Sequence, residues 1–145
     1  MTNIKKTRIV NYSCEQMFAL VNDVEHYAEF LPYCTQSFVN FRNENEVQAT
    51  LVISAAGINK SFTTNNRLQT NKMIEIRLVD GPFKSLEGFW LFEEINHNSC
   101  QIIFDLEFEF INGLFVKFIS PIFAQITNQM VDEFCLRAEQ LYGKY

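Results

Sequence analysis

Basic residues are scarce in this chain: 12 Lys and Arg stand against 17 Asp and Glu, for a net charge of −5. That balance argues against a broad nucleic-acid face, which needs clustered cations to neutralise phosphates, and it gives no reason to expect DNA as a partner. The cations are scattered, with a small local patch at Lys5, Lys6 and Arg8. Cys14, Cys34, Cys100 and Cys135 form no CxxC pair and match no zinc or haem spacing. With no signal peptide ahead of them, reduced and buried thiols in a cytoplasmic protein are expected. His26 and His97 stand alone, without a second ligand at metal spacing. No apolar run approaches the roughly 18 residues that a membrane-spanning helix requires. There is no glycine-rich phosphate loop, and no Ser–His–Asp, Cys–His or paired-carboxylate arrangement follows from the spacing. Nothing here demands catalysis, and the chain is read as a non-enzyme.

Phenylalanine, by contrast, is abundant: 15 residues, beside a single Trp. Phe brings apolar area without a polar handle, so such an interior is either packed solid or lined for an apolar guest. The longest periodic segment runs from Leu114 to Tyr142. Phe115, Phe118, Ile119, Ile122, Ile126, Met130, Phe134, Ala138 and Leu141 recur there at helical spacing. A helix of that length spans roughly 40 Å and cannot stand alone, so it needs a large apolar partner surface.

The rest of the chain supplies one. Lys5 to Asn11 reads as a strand. Ser13 and Gln16 then form a capping box, with Tyr12 and Met17 spaced as a hydrophobic staple, opening a first short helix. Asp23 is expected to cap a second, over Val24 to Phe30, which Pro32 ends. From Cys34 the period changes to two. Val47 to Ala55, Ile58 to Leu68, Ile74 to Leu78, Leu86 to Glu93 and Cys100 to Glu109 alternate apolar and polar residues, and parity puts Trp90 inside. Short polar turns between such strands imply an antiparallel meander with one wet and one dry face. The long helix covers the dry face, giving an α+β layer architecture in one unit spanning residues 1–145.

Three stretches invite a chemical reading. Asp105, Glu107 and Glu109 lie at i, i+2 and i+4, opposite Phe104 and Phe108, and so face solvent. Phe83, in the turn Gly81-Pro82-Phe83-Lys84, either tucks into the core edge or stands at the rim of a pocket. Between Leu114 and Phe123 only Lys117 and Ser120 are polar, with Pro121 in the middle. That stretch is either a kinked, fully packed helix or a movable lid at a pocket mouth, able to dip into a membrane surface or a partner.

Several strings occur together that resemble the coenzyme Q-binding/RatA family. They are Glu15-Gln16-Met17-Phe18, Asp23-Val24-Glu25 with Tyr27, and Phe30-Leu31-Pro32-Tyr33-Cys34. In the middle, Gly57 precedes Phe62-Thr63-Thr64. Asp80-Gly81-Pro82-Phe83-Lys84, Leu86, Gly88 and Trp90-Leu91-Phe92 follow. Met130-Val131-Asp132, Phe134, Arg137-Ala138 and Leu141-Tyr142-Gly143 close the chain. The resemblance implies a START-like helix-grip fold, an antiparallel curved sheet of about seven strands around a long C-terminal helix, with two short helices after the first strand. It also implies lipid binding, with ubiquinone or a related polyprenyl quinone as ligand, in a carrier or chaperone that supports respiration. The alternative it brings is a bacterial toxin that binds the large ribosomal subunit and hinders subunit association. The wider superfamily's polyketide cyclase/dehydrase label does not by itself make this chain an enzyme.

The resemblance carries Trp90 and the Leu31-Pro32 corner over to quinone binding; Phe83 joins the candidates through its place in the turn, with core edge and pocket rim both open. Strand parity adds Leu51, Ile53, Phe62, Ile76, Leu78 and Phe104. The helix face adds Phe118, Ile122 and Met130. Tyr33 and Thr64 are candidates for the quinone oxygens. No resident cofactor is expected beyond that ligand. The expected location is cytoplasmic and peripheral to the inner membrane, with transient contact to the membrane surface.

Overall fold

The computed structural model describes residues 1–55, 57–111, 113 and 116–143, without the Val116 side chain. In chain order the elements are β1 (Thr2–Val10), α1 (Cys14–Asn22), a 3₁₀ helix (Val24–Glu29), β2 (Cys34–Arg42), β3 (Glu46–Ala55), β4 (Ile58–Gln69), β5 (Met73–Asp80), β6 (Phe83–Asn96), β7 (Ser99–Phe110) and α2 (Val116–Tyr142). The strands form one antiparallel sheet in the order β1-β7-β6-β5-β4-β3-β2. β2 to β7 are the expected meander. β1 returns to pair with β7, so two strands that follow one another in sequence occupy opposite edges. α1 and the 3₁₀ helix carry the chain between those edges.

The capping box is present: the Ser13 hydroxyl accepts from the Gln16 N–H and the Gln16 side chain accepts from the Ser13 N–H, at 3.1 and 2.9 Å. This satisfies two donors that a helix start leaves open. Asp23 differs from its expected role. It makes no side-chain cap bond; its carboxylate meets the His26 ring at 2.8 Å instead. The 3₁₀ helix is held from outside, by the Arg42 fork on the Glu25 carboxylate at 2.8 Å to each oxygen and by the Ser37 hydroxyl donating to the Glu25 carbonyl.

Register shifts occur at Cys34/Gln36, Val39/Phe41, Thr63/Thr64, Phe83/Ser85 and Glu94/Asn96. Each extra residue bends its strand and increases the local twist, which lets the sheet curve around α2. Gly88 permits a close approach of β6 to β7: a Cβ there would stand 2.3 Å from the Asp105 carbonyl oxygen.

The buried residues of α2 are Ile119, Phe123, Ile126, Thr127, Val131, Phe134, Cys135 and Ala138. The periodicity favoured a stripe turned slightly away from this. Phe118 is 63% exposed and Leu141 52%, whereas Thr127 is buried. Leu114 and Phe115, the expected start of the helix, lie outside the described residues. Pro121 lies inside the helix, in its second turn.

Candidate functional site

The aromatic residues fall into two clusters along α2. Near the helix start, Phe123 contacts Phe62, Phe83, Phe108 and Phe110, with centroids 4.8–5.6 Å apart. Near the helix end, Phe134 contacts Tyr27, Phe30 and Trp90 at 5.1–5.3 Å, and Trp90 also lies against Phe104 at 4.4 Å. Between the clusters a partly open cavity of about 80 Å³ separates sheet from helix. Packed rings and an apolar lining thus coexist, where the composition had offered them as alternatives.

Of the residues that sequence reasoning singled out, Leu31, Leu51, Ile53, Phe62, Ile76, Trp90, Phe104 and Met130 line this cavity. Pro32, Leu78, Phe83, Phe118 and Ile122 are not part of its lining. Phe83 is 4% exposed inside the first ring cluster, so it is a core side chain and not a rim residue. Leu78 and Ile122 pack half-buried against the core, and Phe118 faces outward. Tyr33 is 41% exposed, in a left-handed turn at φ 64°, and is absent from the wall. Thr64 is on the wall.

Sequence reasoning missed the roof contributed by Val21, Val24 and Tyr27, and it missed Asn66 and Thr127. Strand parity with Phe62 and Thr64 would have found Asn66. Thr127 interrupts the apolar stripe, yet its hydroxyl donates back to the Phe123 and Ala124 carbonyls at 3.0 and 3.1 Å. Satisfied in that way, it presents little more than a methyl group.

The remaining polar groups are also largely paired. The Tyr27 hydroxyl donates to the Val21 carbonyl, and burial raises its phenol well above the ordinary range. Burial pushes the Cys34 thiol up to about 11. The Thr64 hydroxyl donates to the Asn66 side-chain oxygen at 3.0 Å, leaving the Asn66 carboxamide as a polar feature on an otherwise apolar wall. Such a surface suits an uncharged, mostly apolar guest with one hydrogen-bonding group. Among the described residues no charged side chain lines it to run acid–base chemistry. Glu107 lies on the opposite face of the sheet, as parity required, beside Glu75, Arg77, Glu87 and Asp105.

Among the described residues no three His, Cys, Asp or Glu side chains converge as a metal site. No described helix is long and apolar enough to cross a membrane.

A family model described as polyketide cyclase/dehydrase and lipid transport matches residues 10–135. A protein of Vibrio cholerae named ribosome association toxin RatA is 42% identical over 144 residues, covering 99% of this chain and all of that one. The mitochondrial coenzyme Q-binding protein COQ10 of Drosophila melanogaster is 29% identical over 142 residues, covering 95% of this chain and 59% of that one. Among solved structures, a START superfamily protein from Mycobacterium smegmatis aligns with a TM-score of 0.78 at 21% identity, covering 96% and 98% of the two chains. The Zhui aromatase/cyclase of a Streptomyces species aligns at 0.81 with 14% identity, covering 96% and 94%. These likenesses establish the START-like helix-grip fold.

Proposed function

This chain belongs to the polyketide cyclase/dehydrase and lipid-transport family, and on that premise we propose that it is a ribosome-associating protein which binds the large subunit and hinders subunit joining. The observation that carries the reading is 42% identity, end to end, with a protein named ribosome association toxin. An acidic chain must make such a contact through a local surface. Lys5, Lys6 and Arg8 are exposed on the edge strand β1, with Arg8 held at 2.8 Å from Asp132 of α2. Two or three neutralised phosphates give a log–log salt slope of about −1.5 to −2.5. Co-sedimentation with separated ribosomal subunits across a salt series is the test. Pelleting with the large subunit that fades at this shallow slope is expected; failure to pellet at low salt overturns the reading.

A second reading rests on the cavity: it takes the isoprenoid or ring portion of a polyprenyl quinone or similar lipid. A drug-sized ligand needs about 300–1,000 Å³, so a guest of this kind must spread α2 and the 3₁₀ helix from the sheet. The likeness to a coenzyme Q-binding protein supports the ligand class. Organic extraction of gently purified protein, followed by mass spectrometry, tests it. Recovery of empty protein that takes up no quinone on titration overturns it. In either reading the chain works in the cytoplasm without catalysing a reaction, and a quinone carrier would meet the membrane surface in passing.

A further inference from the structure

Two cysteines that the cavity does not use stand together elsewhere. Cys14 is the first residue of α1, Cys100 lies near the start of β7, and their sulfurs are 3.0 Å apart across a sequence separation of 86 residues. That is closer than ordinary van der Waals contact between heavy atoms, about 3.5–4.0 Å, and about 1 Å from a disulfide bond. Cys100 is completely buried, whereas Cys14 is 9% exposed and lines a surface groove together with Lys72, Glu94 and His97. Cys34 lies instead at the cavity between sheet and α2 and Cys135 in a groove on β1, so neither belongs to this pair.

We propose that Cys14 and Cys100 form a peroxide-reactive thiol pair, with Cys14 taking the oxidant and Cys100 closing the disulfide. The Cys14 sulfur, as thiolate, attacks one peroxide oxygen. The O–O bond breaks, the departing hydroxide takes up the proton that the Cys14 thiol gave up and leaves as water, and Cys14 becomes a sulfenic acid. Cys100 then attacks the Cys14 sulfur; the S–O bond breaks, the S–S bond forms, and a second water carries off the remaining proton. Two thiols and one hydroperoxide thus give one disulfide and two waters, two electrons passing from sulfur to oxygen. The order follows from access, since the groove reaches Cys14 and not Cys100. It also accords with the Cys100 thiol, which burial and the adjacent Cys14 hold protonated. A low-molecular-weight thiol reverses the bond by exchange. The closed form fastens the start of α1 to β7, and α1 also carries Val21 into the cavity wall.

The test oxidises the reduced, full-length, folded chain with a small molar excess of hydrogen peroxide, blocks remaining thiols with an alkylating agent and maps the peptides by mass. The expected product lacks two hydrogens, links the Cys14 peptide to the Cys100 peptide, and leaves Cys34 and Cys135 alkylated. Its melting temperature rises by about 5–10 °C, as expected for closing so long a loop. In Cys100→Ser, dimedone traps a sulfenic acid on Cys14; in Cys14→Ser, no linked product forms. If Cys100→Ser fails to fold, dimedone added to the wild type during oxidation reads out the same first adduct. Four free thiols after peroxide, a link between another pair, or a first adduct on any cysteine but Cys14 overturns the proposal.

Discussion

The indole of Trp90 on β6 meets the ring of Phe134 on α2 edge to face, at 83° and 5.3 Å between centroids. Both side chains are at most 2% exposed. The contact joins sheet to helix at one end of the cavity, so Trp90 is at once a packing residue and part of the wall.

Trp90→Ala is therefore expected to cost about 3–5 kcal/mol of stability, as other large aromatic truncations do, along with any loss of ligand uptake. Urea denaturation of wild type and variant measures it. A variant that keeps its stability while losing uptake would restore a purely ligand-facing role for Trp90. As the sole tryptophan, this residue also gives a fluorescence signal that should change when an apolar guest enters.

Ala49 is 4% exposed and on the cavity wall. Ala49→Val adds two methyl groups where space already exists. It should stabilise the fold by about 0.5–1.5 kcal/mol, the range for filling a cavity, and reduce uptake of an apolar ligand. Chemical denaturation beside quinone titration tests both halves; a destabilised variant would mean that the wall is already tight at this point.

Gly88 offers the opposite case. A Cβ would lie 2.3 Å from the Asp105 carbonyl oxygen and 2.9 Å from the Leu106 Cα. Backbone cannot step aside as a side-chain tip can, so Gly88→Ala should destabilise by at least about 1–3 kcal/mol and lower soluble yield. Thermal melts against wild type settle the point, and an unchanged melting temperature refutes it.

The Arg42 guanidinium beside Glu25 holds its carboxyl below the ordinary carboxylate range. Because the folded group titrates below the unfolded one, its stabilisation is complete above about pH 5 and fades as pH falls through the lowered value. Both side chains are more than a third exposed, which screens the pair to under about 1 kcal/mol. Urea midpoints measured from pH 6 down to pH 3 should fall less steeply in Arg42→Ala than in wild type. Parallel curves would show that the pair contributes nothing.

The architecture was legible wherever alternation was clean. Trp90, Phe104 and Phe108 fall inside, and Glu107 outside, because each strand position has only two faces to choose from. The start of α2 was harder. Phe118, Ile119, Ile122 and Phe123 are all apolar, so periodicity alone could not choose a face, and the choice included Phe118 where Phe123 is buried. Asp23 misled for a local reason, since His26 competes for the carboxylate that would otherwise cap the helix. The roof of the cavity was hidden because Val21, Val24 and Tyr27 reach it only through the path of the chain from one sheet edge to the other. No local pattern encodes that path.

The edge-to-edge placement of β1 and β2 has a bearing on how the molecule comes into being. Val10 finds its neighbour in Cys100, and Thr2 in Phe108, so β1, made before the meander, cannot be zipped into the sheet until the last strand has emerged. Until β1 docks there, β7 exposes an open seam, and β1 is a tethered arm whose closure cost rises with the intervening length. Completion of the sheet is thus held back until β7 has been made, and anything that delays β1 prolongs the lifetime of an adhesive, half-finished sheet.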